Sequence, residues 1–321
     1  MRFDTVVTGT LATTEQEAAS LEQLGFGGIH VTELTSDPFI TATLAARATT
    51  TAEIGTQVAV AFARNPMTVA TSARNLADLS GGRFSLGLGT QVSAHITRRF
   101  SMPWSRPADR MADFINAVRA IWQSWETGER LNYRGEFYSH TLMTPMFSPG
   151  AAPGGLPSIQ LAAVGERMAE VAGRVADGIV AHPFCTVSYL EQVLLPAVAK
   201  GRAGQEREFA VTSQAFVVVD EATDLETRNR IGFYGSTPAY RGVLELHGWG
   251  ALGDELHALS VSREPDAWKR MGELITDEVL EQFAVVTTRE NAFADVQKRF
   301  DGLSDRVVLP AQSVGPVPRA L

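Results

Sequence analysis

The chain has 321 residues, of which 45% are hydrophobic and 20% charged, enough apolar material for a sizeable core and unlike the composition of a disordered segment. Its net charge of −8 disfavours nucleic acid or an anionic membrane as the main partner, and no apolar run is long enough to span a bilayer. The single cysteine, Cys185, excludes an internal disulfide framework and reads as an inert core thiol.

Residues 3–8 read as a strand rather than a signal peptide, because no basic segment followed by a long apolar run precedes them, and a cytoplasmic location is expected. Residues 15–24 form an amphipathic helix ended by Gly25, and 28–32 a second strand. Pro38 opens a helix to about residue 50. Residues 53–60 are a buried strand, Asn65-Pro66 starts a helix to about residue 79, and Gly81-Gly82 turns the chain into a strand ending at Gly87-Leu88-Gly89. This is one β/α/β crossover, the connection that parallel strands need.

After Gln91 the pattern breaks into a loop over 92–107 with Arg98, Arg99, Trp104 and Arg106. A helix over 110–126 follows, its apolar residues Met111, Phe114, Ile115, Val118 and Trp122 recurring at helical spacing. Residues 128–157 read as an excursion over one barrel end, with hairpin character at 131–138 and a proline- and glycine-rich stretch at 145–157. Regular alternation then returns: strand 158–163, helix 165–176, strand 177–182, helix 188–200, strand 210–219. A mostly helical insertion occupies 220–285, and helix 289–300 leads to an eighth strand at 305–310. The order predicts an α/β fold, a (β/α)8 TIM barrel with insertions, spanning 1–321 as one domain.

Metal chemistry has little support, since none of the six histidines pairs as H-x-H or H-E-x-x-H. No G-x-S-x-G nucleophile elbow is present, and Gly87-Leu88-Gly89 is an incomplete dinucleotide fingerprint after the wrong strand. What remains is a set of polar residues at predicted strand ends: Glu33, Gln57 and Arg64, Gly89-Thr90-Gln91 and His95, Gly165-Glu166, and His182. A barrel converges them on one mouth. Each also has a plainer reading: Glu33 as a helix cap, His95 as a solvated loop residue, His182 as a core histidine before Pro183. Gly165 either opens a helix whose free N–H groups bind a phosphate or is a simple turn. Arg98 and Arg99 are solvated charges or anchors for an anionic tail.

The strand Gly55-Thr56-Gln57-Val58-Ala59-Val60-Ala61-Phe62-Ala63-Arg64-Asn65-Pro66, with Leu79-Ser80-Gly81-Gly82-Arg83-Phe84-Ser85-Leu86-Gly87-Leu88-Gly89, resembles the signature of the luciferase-like monooxygenase superfamily. Met102-Pro103-Trp104-Ser105-Arg106-Pro107, Ala163-Val164-Gly165, Phe233-Tyr234-Gly235-Ser236-Thr237-Pro238-Ala239-Tyr240 and Leu246-His247-Gly248-Trp249 are similar to a branch assigned coenzyme F420. The resemblance implies a barrel with a deazaflavin or flavin at its C-terminal mouth and a non-prolyl cis peptide at or near Gln57-Val58. It implies a cofactor site drawn from Gln57, Val58, Arg64, Gly89, Thr90 and Gln91, with His95 and Arg99 toward the cofactor side chain and Val164, Gly165 and Glu166 toward its phosphate.

Members with an Asp-His pair after strand two have no counterpart here, because the chain reads Thr32-Glu33-Leu34. Glu33 then becomes the candidate proton donor, expected to have a raised pKa beside an apolar ring, and His182 is the second catalytic candidate. Trp104, Tyr138, Phe184 and Trp249 are aromatic candidates for a substrate wall, with core packing as the alternative. The expected function is F420-dependent hydride transfer between the deazaflavin C5 and a small organic substrate bearing C=C, C=N or a carbonyl or alcohol. The alternatives are an FMN-dependent monooxygenase on the same barrel and a non-catalytic flavin-binding barrel. The loop 92–107 and the insertion 220–285 are expected to act as a lid. A homodimer is expected through the alanine- and threonine-rich helix over 41–51.

Overall fold

The computed structural model of the chain describes residues 1–318 apart from Arg263. Its centre is a closed parallel barrel of β1 (Arg2–Val6), β2 (Gly28–Val31), β3 (Glu53–Thr56), β4 (Phe84–Gly89), β5 (Ser158–Ala163), β6 (Gly178–Ala181), β7 (Ala210–Gln214) and β8 (Arg306–Leu309). Each strand pairs in parallel with its neighbours, and β8 closes on β1 with Phe3 opposite Val307. The helices α1 (Thr14–Gln23), α2 (Pro38–Ala48), α3 (Pro66–Ser80), α4 (Pro107–Thr127), α5 (Glu166–Val175), α6 (Leu195–Arg202) and α7 (Ala292–Phe300) accompany the strands.

Local sequence sets the helix ends. Asp37 and Asn65 cap α2 and α3 by accepting from Phe39 N and Thr68 N at 2.8 and 3.0 Å, each with proline in the first turn. Gly81 ends α3 at φ 65°, a left-handed position that glycine takes without strain. The helix expected over 188–200 enters α6 through a π-helical segment, Leu190–Leu194. Pro196 lies just beyond it, and the wider turn accommodates a residue with no N–H to donate.

Side chains alternate across each strand, and the two faces differ in chemistry. The outer face packs against the helices through Ile29, Ile54, Leu86, Leu88, Ile159, Leu161 and Ile179, all 0% exposed. The inner face is small and polar near the strand starts. A side chain at Gly28 would run into the Asp4 carboxylate at 2.5 Å, one at Gly55 into His30 and Ser85 at 2.6 Å, and one at Gly178 into Gln160 at 1.9 Å. Glycine on one strand thus makes room for a polar group on the next.

Asp4 and His30 belong to an ionic plug. Arg2 donates to both oxygens of Asp4 at 2.8 and 2.9 Å, His30 Nε2 lies 3.1 Å from Asp4 Oδ2, and Arg2 and Arg306 both reach Glu53. Burial alone would raise the pKa of Asp4, but the hydrogen bonds and charges of His30 and then Arg2 hold it well below the usual carboxylate range. The lower barrel is therefore filled by paired charges, and the upper barrel is left open.

Two sequence expectations need correction. The strand expected over 210–219 is split: β7 ends at Gln214, and Phe216–Val218 leaves the barrel to pair in parallel with Ala284–Val286, Phe216 opposite Ala284. The two legs of the insertion thus pair with each other, a contact between segments too distant in sequence for local periodicity to reveal. The small residues offered for a dimer contact, Thr41, Ala42, Ala45 and Ala46, are buried within the chain itself. The expected hairpin is present as Tyr133–Arg134 against Ser139–His140. Asp113 of α4 ties it down by accepting from Phe137 N at 2.6 Å and Tyr138 N at 3.0 Å. The insertion is helical as expected, and a short helix, Ser93–Arg98, interrupts the loop over 92–107.

Asp4→Ala leaves Arg2 and His30 without their shared anion inside the barrel. It is expected to lower the unfolding free energy by roughly 3–5 kcal/mol, read from urea denaturation at pH 7. Because the folded pKa of Asp4 is depressed, the wild-type contribution is full above the unfolded aspartate value and is lost as pH falls through the folded one. The gap between wild type and variant therefore narrows only in strong acid.

Candidate active site

A cavity of about 1860 Å³ opens at the C-terminal ends of the strands, well above the roughly 300–1,000 Å³ of a typical small-molecule pocket. Its floor is built where β3 changes partners. Gln57 N still donates to Val31 O of β2 at 2.7 Å, the Gln57–Val58 peptide is cis, and Ala59–Val60 then pairs with β4 alone, Val60 opposite Gly89. Val58 comes up against β4: a Cβ on Gly89 would lie 2.6 Å from Val58 Cγ2, and one on Gly87 only 1.9 Å from Thr56 O. Both glycines are required by close approach, and they leave a smooth floor. Gln57 Oε1 is buried there with no hydrogen-bond partner.

Once β2 has ended, the backbone at Val60 has no neighbouring strand on that side. Glu33 supplies the missing acceptor: its Oε2 takes Val60 N at 2.7 Å and Arg64 Nη1 at 2.6 Å. Arg64 also donates to Val60 O at 3.2 Å and to Asp37 Oδ2 at 2.8 Å. The pair is mostly buried, with Glu33 and Arg64 side chains 7% and 17% exposed. Glu33 faces the cavity, but the oxygen that the sequence reading made a proton donor accepts two hydrogen bonds. Its position fits a clamp on the floor.

On the opposite wall α5 begins at Gly165 with no side-chain cap. Met168 N and Ala169 N return to Gly165 O at 3.1 Å, while the N–H groups of Glu166 and Arg167, two residues that line the cavity, have no partner among the described residues. Such a helix start suits an anion.

His182, following β6, is half-buried, and its Nδ1 accepts from Phe184 N at 3.1 Å. That bond assigns the proton of the neutral ring to Nε2. Burial drives its pKa down to about 3, so the ring is neutral at physiological pH. Tyr234 and Tyr240 stand against it at centroid distances of 4.6 and 4.7 Å. Burial also raises the Tyr240 phenol to about 12, so it keeps its proton.

Of the expected cofactor residues, Gln57, Val58, Gly89, Thr90 and Gln91 line the cavity, as do His95, Val164, Gly165 and Glu166. Arg64 does not, being committed to Glu33 and Asp37. Neither does Arg99, which donates to Leu34 O at 2.9 Å and lies over the Phe100 ring. Among the aromatic candidates only Trp104 lines it. Tyr138 accepts from Arg110 Nε at 2.9 Å and packs edge-on against Phe114. Phe184 is 0% exposed and stacked on Phe283 at 4.5 Å, and Trp249 is stacked on His247 at 4.7 Å. These three are packing residues. The sequence reading passed over Phe233, Tyr234, Tyr240, Trp268 and Arg167, all on the wall. The motif 233–240 was a signal for three of them, and nothing local marked Trp268.

The fold is a (β/α)8 barrel whose third strand bulges at the same mouth where α5 starts without a side-chain cap. Residues 2–306 match the luciferase-like monooxygenase family. An uncharacterised Mycobacterium tuberculosis protein is 46% identical over 317 residues, covering 96% of this chain and 92% of its own. A 5,10-methylenetetrahydromethanopterin reductase of Methanolobus tindarius is 26% identical over 302 residues, 92% of this chain and 88% of the reductase. Among solved structures, the coenzyme F420-dependent tetrahydromethanopterin reductase of Methanopyrus kandleri superposes with a TM-score of 0.78 at 17% identity, over 97% of this chain and 95% of that one. The chain belongs to the luciferase-like monooxygenase family and is an enzyme of that class.

The depressed pKa of His182 has a consequence for stability. Between about pH 6.5 and 3 the unfolded chain binds a proton on this residue that the folded chain does not. Stability contributed by the neutral ring is full above pH 6.5 and is lost as pH falls through that window. His182→Gln is expected to flatten the fall in urea midpoint between pH 7 and pH 5, and an unchanged slope would contradict the neutral ring.

Proposed function

We propose that the chain is a coenzyme F420-dependent oxidoreductase that moves a hydride between the cofactor and a small organic substrate. The observation that carries the reading is the floor at Gln57–Val58, where one unpaired buried acceptor lies in an otherwise apolar, glycine-smoothed surface. An orphaned buried acceptor is costly unless a ligand donor meets it, and a flat heterocycle with ring N–H groups provides one. The similarity to reductases and dehydrogenases named for F420 supports this cofactor over FMN.

When bound, F420 supplies two-electron hydride chemistry at its deazaflavin ring. Val58 and Gly89 would back the ring, Gln57 Oε1 would accept a ring N–H, and the free N–H groups of Glu166 and Arg167 would hold a phosphate. Glu33 acts at one remove: by binding Val60 N and Arg64 it fixes the bulge against which the ring rests. His182 presents a neutral Nε2–H at the wall, suited to hydrogen-bond a substrate oxygen that gains charge. Its depressed pKa makes it a poor source of a full proton near neutral pH. The loop 92–107 and the insertion 220–285 complete the mouth, and a single-domain organisation, a homodimer and a cytoplasmic location remain part of the proposal.

Fluorescence titration is expected to give F420 a Kd of micromolar or better and FMN a weaker one; the reverse order would favour an FMN enzyme. Gly165→Asp is sterically free, with nothing within 4 Å of the new Cβ, yet its carboxylate would occupy the helix start. It should weaken F420 by about tenfold or more with no loss of thermal stability.

Glu33→Gln keeps an acceptor for Val60 N but breaks the ion pair with Arg64. It should cost on the order of 3 kcal/mol of stability and raise the Kd for F420, while the pH profile of turnover keeps its shape. A lost acid or base limb would make Glu33 the proton donor after all.

A further inference from the structure

The cavity is larger than one cofactor requires, and its outer part is walled by the insertion. Five rings run through that part in an unbroken series. Trp268 lies 5.3 Å from Phe233, Phe233 lies 5.2 Å from Tyr234, Tyr234 lies 4.6 Å from His182, and His182 lies 4.7 Å from Tyr240. The series leads from the two exposed rings to His182 and Tyr240 on the cavity wall. Its outer members are unusually open for rings of their size, Phe233 being 45% and Trp268 57% exposed, although both line the cavity. Large exposed rings are informative where they are contiguous and border a cleft.

The charges along the same wall are already spent. Arg230 is paired with Glu226 at 2.5 Å, and Arg106 with Glu136. The remaining wall cation, Arg167, is at the start of α5, where the proposed cofactor phosphate sits. Among the described residues the outer lobe therefore offers no unpaired cation to a phosphorylated or carboxylated substrate, and desolvating such a group there would go uncompensated. Stacking surface is what the lobe has to give, and aromatic pairs add attraction beyond area burial.

We infer that the outer lobe is the substrate site and that it takes an uncharged, flat, hydrophobic molecule, an aryl or polycyclic carbonyl compound, rather than a sugar phosphate. The molecule stacks on Phe233 and Trp268 and extends along Tyr234 so that its oxygen reaches the Nε2–H of His182. This assignment rests on the cofactor reading for the location of the reacting end. Phe233 and Trp268 are specificity residues, remote from the floor.

The test uses 2-acetonaphthone and glucose 6-phosphate as probes, with binding followed by isothermal titration on wild type, Phe233→Ala, Trp268→Ala and the double variant. F420 titrations run in parallel. Wild type is expected to bind the naphthone and to bind glucose 6-phosphate at least tenfold more weakly. Each single variant should lose about three- to tenfold for the naphthone and the double variant more, with F420 affinity within about twofold of wild type throughout. Both side chains are exposed, so the variants should fold, and Trp268→Phe should recover most of the lost affinity. Naphthone affinity indifferent to both rings, or glucose 6-phosphate binding as tightly, overturns the assignment even when F420 binds normally. Failure of F420 to bind wild type, with the ring dependence of the naphthone intact, overturns the cofactor reading instead.

Discussion

The arrangement depends on how β3 ends. A strand in a closed barrel normally has a neighbour on each side, but here β2 stops at Val31 while the chain of β3 must continue past a cis peptide to Val60. The N–H of Val60 is buried and would be an orphan. Glu33, two residues beyond the end of β2, accepts that N–H on a single carboxylate oxygen, and Arg64 balances its charge. An acidic side chain thus replaces a missing ladder bond, and because an unpaired buried donor is expensive, the bulge is held in place. The smooth floor, the free Gln57 oxygen and the open volume above them all follow from that anchorage.

The same barrel is divided along its axis by side-chain chemistry. Near the strand starts Arg2, Arg306, Asp4 and Glu53 fill the interior as two arginines against two acids, with His30 on Asp4, and glycines at 28 and 55 make the room. Near the strand ends the interior becomes the cavity. A plug of paired charges is geometrically specific in a way that interchangeable aliphatic side chains are not, since each partner lost leaves an unpaired charge.

The barrel was legible in the sequence because its signals are local. Alternating strands, capped helices such as Asp37-Pro38 and Asn65-Pro66, and the glycines of 81–89 announce their structure within a few residues. The cavity residues at strand ends were legible for the same reason, since topology carries the C-terminal end of every strand to one mouth. Residues whose role depends on a distant partner were not. Arg64 follows β3 as a ligand-binding arginine would, but the carboxylate that claims it comes from the end of β2. Phe184, Tyr138 and Trp249 have the composition of a substrate wall, but Phe283, Arg110 and His247 take their faces. Phe216–Val218 read as more of β7 because nothing nearby shows that Ala284–Val286 is its partner. Trp268 stands in a segment with no distinguishing pattern, and only the packing of the insertion brings it to the mouth.

The central claim is that a planar redox heterocycle lies on the Gln57–Val58 floor with its phosphate at the start of α5. Difference density from crystals grown with F420 tests this most directly. The account predicts a ring flat against Val58 and Gly89, a ring N–H on Gln57 Oε1, and a phosphate on the N–H groups of Glu166 and Arg167. A ring bound elsewhere, or a floor in which Gln57 stays unpaired beneath a fully bound cofactor, would contradict it.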